Sequence, residues 1–296
     1  MILYTTKTIV TQERYLMAGV IYVVATPIGN LNDLTPRMEQ AFNEADFIAA
    51  EDTRVTVKLL NHLGIKKPMI SYYEHNLKDK GEYIISRVLA GENCAVCSDA
   101  GTPCISDPGE ILVKQAHAHG IRVIPVSGPS AVITALSVSG QNTGRFCFEG
   151  FLSTNKKARV DHLEQVKTET RTMIFYEAPH KLLNTLKDFK ECFGADRSLT
   201  IARELTKLHE QIWLTTVGEA LDFYTENPPK GEFVLIVAGG VFEREEAALT
   251  LDDLAQKCID IMESENVPMK EAAKIASAKT NFSKSEIYKA ALALRG

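Results

Sequence analysis

The chain has 296 residues, of which 45% are hydrophobic and 24% charged, so it holds ample material for a buried core and fits neither collagen, coiled coil nor wholesale disorder. Acidic side chains outnumber basic ones by 38 to 33, giving a net charge of -5, which excludes a general basic field and confines any RNA contact to local patches. Six cysteines, scattered apart from Cys94 and Cys97, make no disulfide framework and point to a reducing, cytoplasmic setting; no apolar run reaches the length of a membrane span.

Residues 1–19 are polar and aperiodic, with Met17 just ahead of the first apolar run, and read as a start-site extension. Short apolar runs then alternate with helical spacing, the pattern of parallel βα units. Strands are expected at 20–25, 47–50, 68–72, 94–98 and 122–125, with helices at 36–43, 54–63, 78–90 and 110–119. Thr35 before Pro36 is a helix start, a capping hydroxyl followed by a residue whose φ is already helical. A joint near 127–130 separates an N-terminal α/β domain, 20–128, from a C-terminal one, 129–240. In the latter, strands are expected at 146–149, 172–176, 199–202, 211–216 and 233–238, and helices at 130–137, 159–167, 181–192 and 219–226. The short polar turn between the third and fourth of these strands permits antiparallel pairing, so the second sheet is expected to be mixed. Beyond Gly239-Gly240 only helical pattern remains, at 251–263, 269–279 and 284–294. This helical appendage, 249–296, resembles a helix-turn-helix around Asn281 but lacks the concentrated Arg/Lys set of a DNA reader, which favours simple packing.

In an open parallel sheet, right-handed crossovers bring the connectors after the strands to one edge, where ligands bind. Those connectors read Thr26-Pro27-Ile28-Gly29-Asn30, Glu51-Asp52-Thr53-Arg54, Tyr73-Glu74-His75-Asn76, Asp99-Ala100-Gly101-Thr102-Pro103 and Ser127-Gly128-Pro129-Ser130. The opposite turns, at Gly64, Gly91 and Gly120, look like ordinary helix exits. Neither a G-x-G-x-x-G after the first strand nor a P-loop occurs. Cys94-Ala95-Val96-Cys97 has half the spacing of a zinc site but no second pair, so it reads as a buried strand and no metal is expected.

The segments Thr26–Leu31, Ala50–Arg54, Ser98–Pro103 with Asp107-Pro108-Gly109, and Phe148-Glu149-Gly150-Phe151-Leu152 closely resemble the tetrapyrrole-methylase-like S-adenosylmethionine (SAM) methyltransferases, in the branch acting on small-subunit ribosomal RNA. Phe175-Tyr176-Glu177, Ala202–Thr206 and Lys230-Gly231-Glu232 extend the likeness over residues 20–240. The resemblance implies an α/β fold, a two-domain class III (tetrapyrrole methylase-like) methyltransferase with a small C-terminal helical appendage, working as a homodimer. It implies SAM in a cleft touching Pro27, Asp99, Ala100, Gly101, Thr102, Ile105, Ser130, Ala131, Phe151, Leu152, Tyr176, Ala202 and Gly231. Its implied substrate is 16S rRNA within the small ribosomal subunit, methylated on the ribose 2′-hydroxyl of a decoding-region cytidine; neither DNA nor membrane is an expected partner.

A ribose hydroxyl is a poor nucleophile at neutral pH, so a carboxylate or histidine that takes its proton assists transfer. Glu51, Asp52, His75, Glu177 and Glu204 are candidates, with Asp52, His75 and Glu177 placed first. Asp52 serves either as this base or as an ion-pair partner of Arg54, and His75 as a base, an RNA contact or a plain loop residue. Arg54 and Asn76 share the edge of the SAM connectors and are expected to face RNA. Lys156, Lys157 and Arg159 are either a phosphate-holding cluster or a solvated helix start. The rival readings are a small-molecule or tetrapyrrole methyltransferase of the same fold and a non-catalytic RNA-binding protein.

Overall fold

A computed structural model describes residues 18–73, 77–240, 250–278, 280 and 282–295. Most of the expected extension, and His75 and Asn76, lie outside the described residues. The chain packs as two compact units, 1–240 and 241–296, and both sheets belong to the first.

The first sheet is built from β1 (Val20–Val24), β2 (Phe47–Ala50), β3 (Met69–Ser71), β4 (Cys94–Cys97) and β5 (Arg122–Val126) in the order β3-β2-β4-β1-β5, every pair parallel. β2 and β4 are buried along their whole length, as strands covered on both faces must be. Alternation sends Ile21, Phe47, Ala49 and Val96 to one core and Val24, Ile48, Ala50 and Ala95 to the other. The covering helices are α1 (Pro36–Glu44), α2 (Thr53–His62), α3 (Leu77–Leu89) and α4 (Gly109–Ala118). Thr35 caps α1 as its sequence requires, its Oγ1 accepting from the Met38 amide at 3.2 Å. Because β4 lies between β1 and β2 while β5 lies beyond β1, the strand order reverses at the sheet centre, the position where α/β folds bind ligands.

After α5 (Ala131–Val138), the second sheet runs β6-β7-β10-β8-β9 through β6 (Phe146–Phe151), β7 (Thr172–Glu177), β8 (Ser198–Arg203), β9 (Gln211–Thr216) and β10 (Phe233–Val237). It is mixed: β6 and β7 are parallel, and β10 pairs antiparallel with β7 and β8, as β8 does with β9. Helices α6 (Lys156–Val166), α7 (Pro179–Phe193) and α8 (Val217–Glu226) accompany it. Phe175, Phe189 and Leu235 anchor its fully buried core.

Among the bounds that differ from the sequence expectation, two have a clear local cause. β6 continues past residue 149 because a register shift between Phe148 and Gly150, with Gly150 at φ +67°, lets the ladder resume at Gly150 and run on to Phe151. Helix α6 begins at Lys156, ahead of the expected 159, because Asn155 accepts from the Ala158 amide and caps it there.

The second unit contains α9 (Leu251–Ser264), α10 (Met269–Ser277) and α11 (Lys284–Arg295) around Leu254, Cys258, Ala273, Ala276, Ile287 and Ala291. Among the described residues no helix is long and apolar enough to cross a membrane.

Candidate active site

Three connectors of the first sheet are bonded to one another beyond the strand ends. Thr26 and Gly101 exchange backbone hydrogen bonds, Thr26 N to Gly101 O at 2.9 Å and Gly101 N to Thr26 O at 3.0 Å. Gly101 sits at φ +81°, a conformation that side chains rarely adopt. Thr102 Oγ1 donates to Pro129 O at 3.0 Å and ties in the connector after β5. The connectors after β2 and β4 also interlock, the Asp52 amide donating to Asp99 Oδ1 at 3.1 Å and the Asp99 amide to Glu51 Oε2 at 3.3 Å.

These connectors and the strand ends of the second sheet line a cavity of about 450 Å³, a size suited to a small-molecule ligand. Asp99, Ala100, Gly101, Thr102, Ile105, Ser130 and Ala131 line it from one sheet's side, and Phe151, Tyr176 and Ala202 from the other. Phe151 and Tyr176 meet edge to face with centroids 5.3 Å apart, forming an aromatic wall. The remaining residues with an implied cofactor role sit just off the lining, next to Ile28, Phe151 and Glu232, which do line it. Among them, Leu152 is 2% exposed and alternation turns it into the core of the second sheet. Gly231, at φ +89°, has no room for a Cβ, which would come within 2.6 Å of the Glu204 side chain; its task is to shape the turn. Pro27 precedes Ile28 in the same connector.

The carboxylates divide sharply by environment. Asp52 is held by Arg54, whose Nη2 donates to Oδ2 at 2.6 Å and whose backbone amide donates to Oδ1 at 2.8 Å, so Asp52 caps α2. Those bonds pull its carboxyl down to about 2, which favours the ion-pair alternative for Asp52 over the base. Glu177 lines the cavity, but it is only 3% exposed and both its oxygens are engaged. Its Oε1 accepts from the Ala178 amide at 2.8 Å and its Oε2 from Thr185 Oγ1 at 2.5 Å. Glu51 lines the same cavity, and burial pushes its carboxyl above the usual carboxylate range, with Asp99, Asp107 and Asp52 adding to the shift. Asp99 and Asp107 are raised by burial as well.

The expected phosphate cluster is split. Lys156 and Lys157 are exposed on the first turn of α6. Arg159 is turned inward: its side chain is 12% exposed, and Nε pairs with Asp188 Oδ2 at 2.5 Å while Nη1 donates to Ser153 O at 3.1 Å. Arg54 keeps 88% of its side chain exposed despite its bond to Asp52. Cys94 and Cys97 are buried strand residues whose thiols burial pushes up, Cys97 to about 12. Asp107, Glu232, Phe233 and Val234 line the cavity without a role read from the sequence. Of these, Asp107 and Glu232 stood in recognisable segments, and the burial that sets Asp107 apart comes from the fold.

The family model described as tetrapyrrole (corrin/porphyrin) methylases matches residues 20–221. The chain is 45% identical to the ribosomal RNA small subunit methyltransferase I of Synechocystis sp., over 93% of this chain and 98% of the relative. It is 43% identical to the protein of that name from Haemophilus influenzae, over 94% of this chain and 98% of the relative. A solved structure of the methyltransferase CobJ superposes with a TM-score of 0.58 at 19% identity, over 77% of this chain and 97% of that one, a likeness of fold. With its paired sheets, its central strand reversal and these relatives, the chain belongs to the tetrapyrrole (corrin/porphyrin) methylases and, among them, to the family of the ribosomal RNA small subunit methyltransferase I proteins.

Proposed function

We propose that this chain is a SAM-dependent methyltransferase of small-subunit ribosomal RNA that modifies the 2′-hydroxyl of a cytidine in the decoding region of 16S rRNA. The names of the relatives support the substrate class. The observation that carries the chemistry is the cavity that collects the Asp99–Thr102 connector, the Phe151/Tyr176 wall and the Glu51 carboxylate around one volume. Its residues suit the cofactor: the walls combine apolar side chains such as Ile28, Ile105 and Phe151 with the carboxylates of Glu51 and Asp99. Bound SAM supplies a methyl group on a sulfonium. The cavity residues hold and align it, and alignment is the dominant requirement of an in-line displacement.

Glu51 replaces Asp52 and Glu177 as the proposed general base, accepting the proton of the acceptor hydroxyl on a carboxylate oxygen. Residues 20–128 and 129–240 act as the two lobes around the cofactor, in the cytoplasm. Exposed apolar residues on and beside edge strand β9, Leu214 at 59% and Leu208 at 92%, suit the homodimer that the reading includes.

Incubation with methyl-labelled SAM and undermethylated small subunits, followed by nuclease digestion and mass spectrometry, is expected to place the label on a cytidine ribose in 16S rRNA. Label on a base, or none on RNA but some on uroporphyrinogen, refutes the reading. Against a net charge of -5, RNA affinity must come from local cations such as Arg54, Lys156 and Lys157. Replacing Lys156 and Lys157 with Ala is expected to weaken small-subunit binding and to flatten its salt dependence by about one unit of log–log slope per lysine. An unchanged slope removes α6 from the RNA surface.

A further inference from the structure

Helix α2 begins at the rim of the cavity. The backbone amide of its N-cap, Asp52, donates to Asp99 Oδ1 at 3.1 Å, and both Asp99 and the preceding Glu51 line the cavity. The segment from Thr53 to Lys67 contains Arg54, Lys58, Lys66 and Lys67 and no Asp or Glu, in a chain whose net charge is -5. Thr56 and Leu60 are the buried residues of the helix, so the face turned away from the core carries Arg54, Lys58 and His62, spaced four residues apart and all exposed. Each step of four advances about 6 Å along the helix axis. Exposed Lys66 follows just beyond the helix end.

The charge of this face is uncompensated within the protein. Among the described residues, Arg87, Arg159, Lys167, Arg171 and Lys207 each pair with a carboxylate, whereas Lys58, His62 and Lys66 form no ion pair. Arg54 donates to Asp52 through Nε and Nη2, which fixes its guanidinium while 88% of the side chain stays exposed. It is also close enough to act electrostatically on Asp99. The cavity itself has the opposite sign: among the described residues Glu51, Asp99, Asp107, Glu177 and Glu232 line it, and no Lys or Arg does. Phosphates flanking a ribose at that mouth are repelled by the lining and need cations just outside it.

We infer that the exposed face of α2 is a phosphate track for the RNA strand bearing the acceptor nucleotide, with Arg54 nearest the acceptor and Lys58, His62 and Lys66 following outward. This rests on the RNA reading proposed above and adds a surface remote in sequence from Lys156 and Lys157. The pinned guanidinium presents its remaining N–H donors to a phosphate at little cost in side-chain freedom. The lysines act as point charges, and the His62 ring adds an N–H donor. Phosphate contacts of this kind fix the register of a strand without reading its bases, so they select by geometry which ribose reaches the cavity.

The salt dependence of binding between the full chain and undermethylated small subunits tests this. Lys58→Ala and Lys66→Ala are each expected to weaken binding and to lower the log–log slope by about one unit, and the double variant by about two. Calorimetric SAM affinity is expected to match that of the native protein, since neither lysine lines the cavity. Lys187→Ala, which removes an exposed lysine of α7, is the control and is expected to leave the slope unchanged. A photo-crosslinking residue in place of exposed Asn61, beside the track, is expected to attach to 16S rRNA. An unchanged slope in the double variant overturns the assignment, and so does an equal fall in the Lys187 control, which marks diffuse attraction. A parallel loss of SAM affinity overturns it by assigning the lysines to the cavity. Crosslinks to ribosomal protein alone, or none, overturn it as well. If the native protein binds SAM but no small subunits, the substrate reading itself fails, a result distinct from these.

Discussion

Glu51→Gln is expected to lower single-turnover methylation of small subunits by about 10²- to 10⁴-fold, the usual contribution of a positioned general base. The substitution is nearly isosteric, and its amide oxygen remains able to accept from the Asp99 amide as Glu51 Oε2 does at 3.3 Å, so SAM affinity should change little. The pH profile supplies a second readout. A base works as the carboxylate, and burial raises the pKa of Glu51 above the ordinary value of 4.5. Native turnover should therefore fall with acidity at a higher pH than an unperturbed glutamate would give, as protons bind to Glu51. The variant should lose that acid limb. Turnover within about threefold of native, or an acid limb that survives the substitution, removes Glu51 from the chemistry.

Arg159→Ala is expected to destabilise the first unit by roughly 3–5 kcal/mol, because it strands the buried Asp188 without its partner. The side chains are 12% and 8% exposed, so solvent offers little compensation. Denaturant melts should show the loss directly. Replacing both residues with apolar side chains of similar volume should recover much of it, since the desolvation cost of the pair disappears with the charges. A variant that melts like the native protein but binds small subunits weakly would instead return Arg159 to the RNA surface.

The sequence read well wherever local signals agree with burial. β2 occupies the expected span because its apolar run ends abruptly at Asp46 and Glu51, and Thr35-Pro36 marks the start of α1. The connectors after β1, β2, β4 and β5 likewise gather on one edge, a result of parallel topology. Departures arose where a distant partner decides. Arg159 sits beside two exposed lysines in the chain, but its bond is to Asp188, 29 residues on and in another helix. Glu51 and Asp52 are neighbours in the sequence, and only the fold turns the first into a cavity and the second onto Arg54.

The crosslinks among the connectors after β1, β2 and β4 constrain how this scaffold can be re-engineered. Thr26 with Gly101, Asp52 with Asp99, and Asp99 with Glu51 form an open circuit of hydrogen bonds, centred on the connector after β4, across three segments far apart in the chain. Transplanting any one segment from another member of the fold would sever bonds whose partners stay behind, so the three must be exchanged as a set. Altered acceptor preference is more readily sought on the opposite wall, where Phe151 lies 55% exposed and outside that circuit.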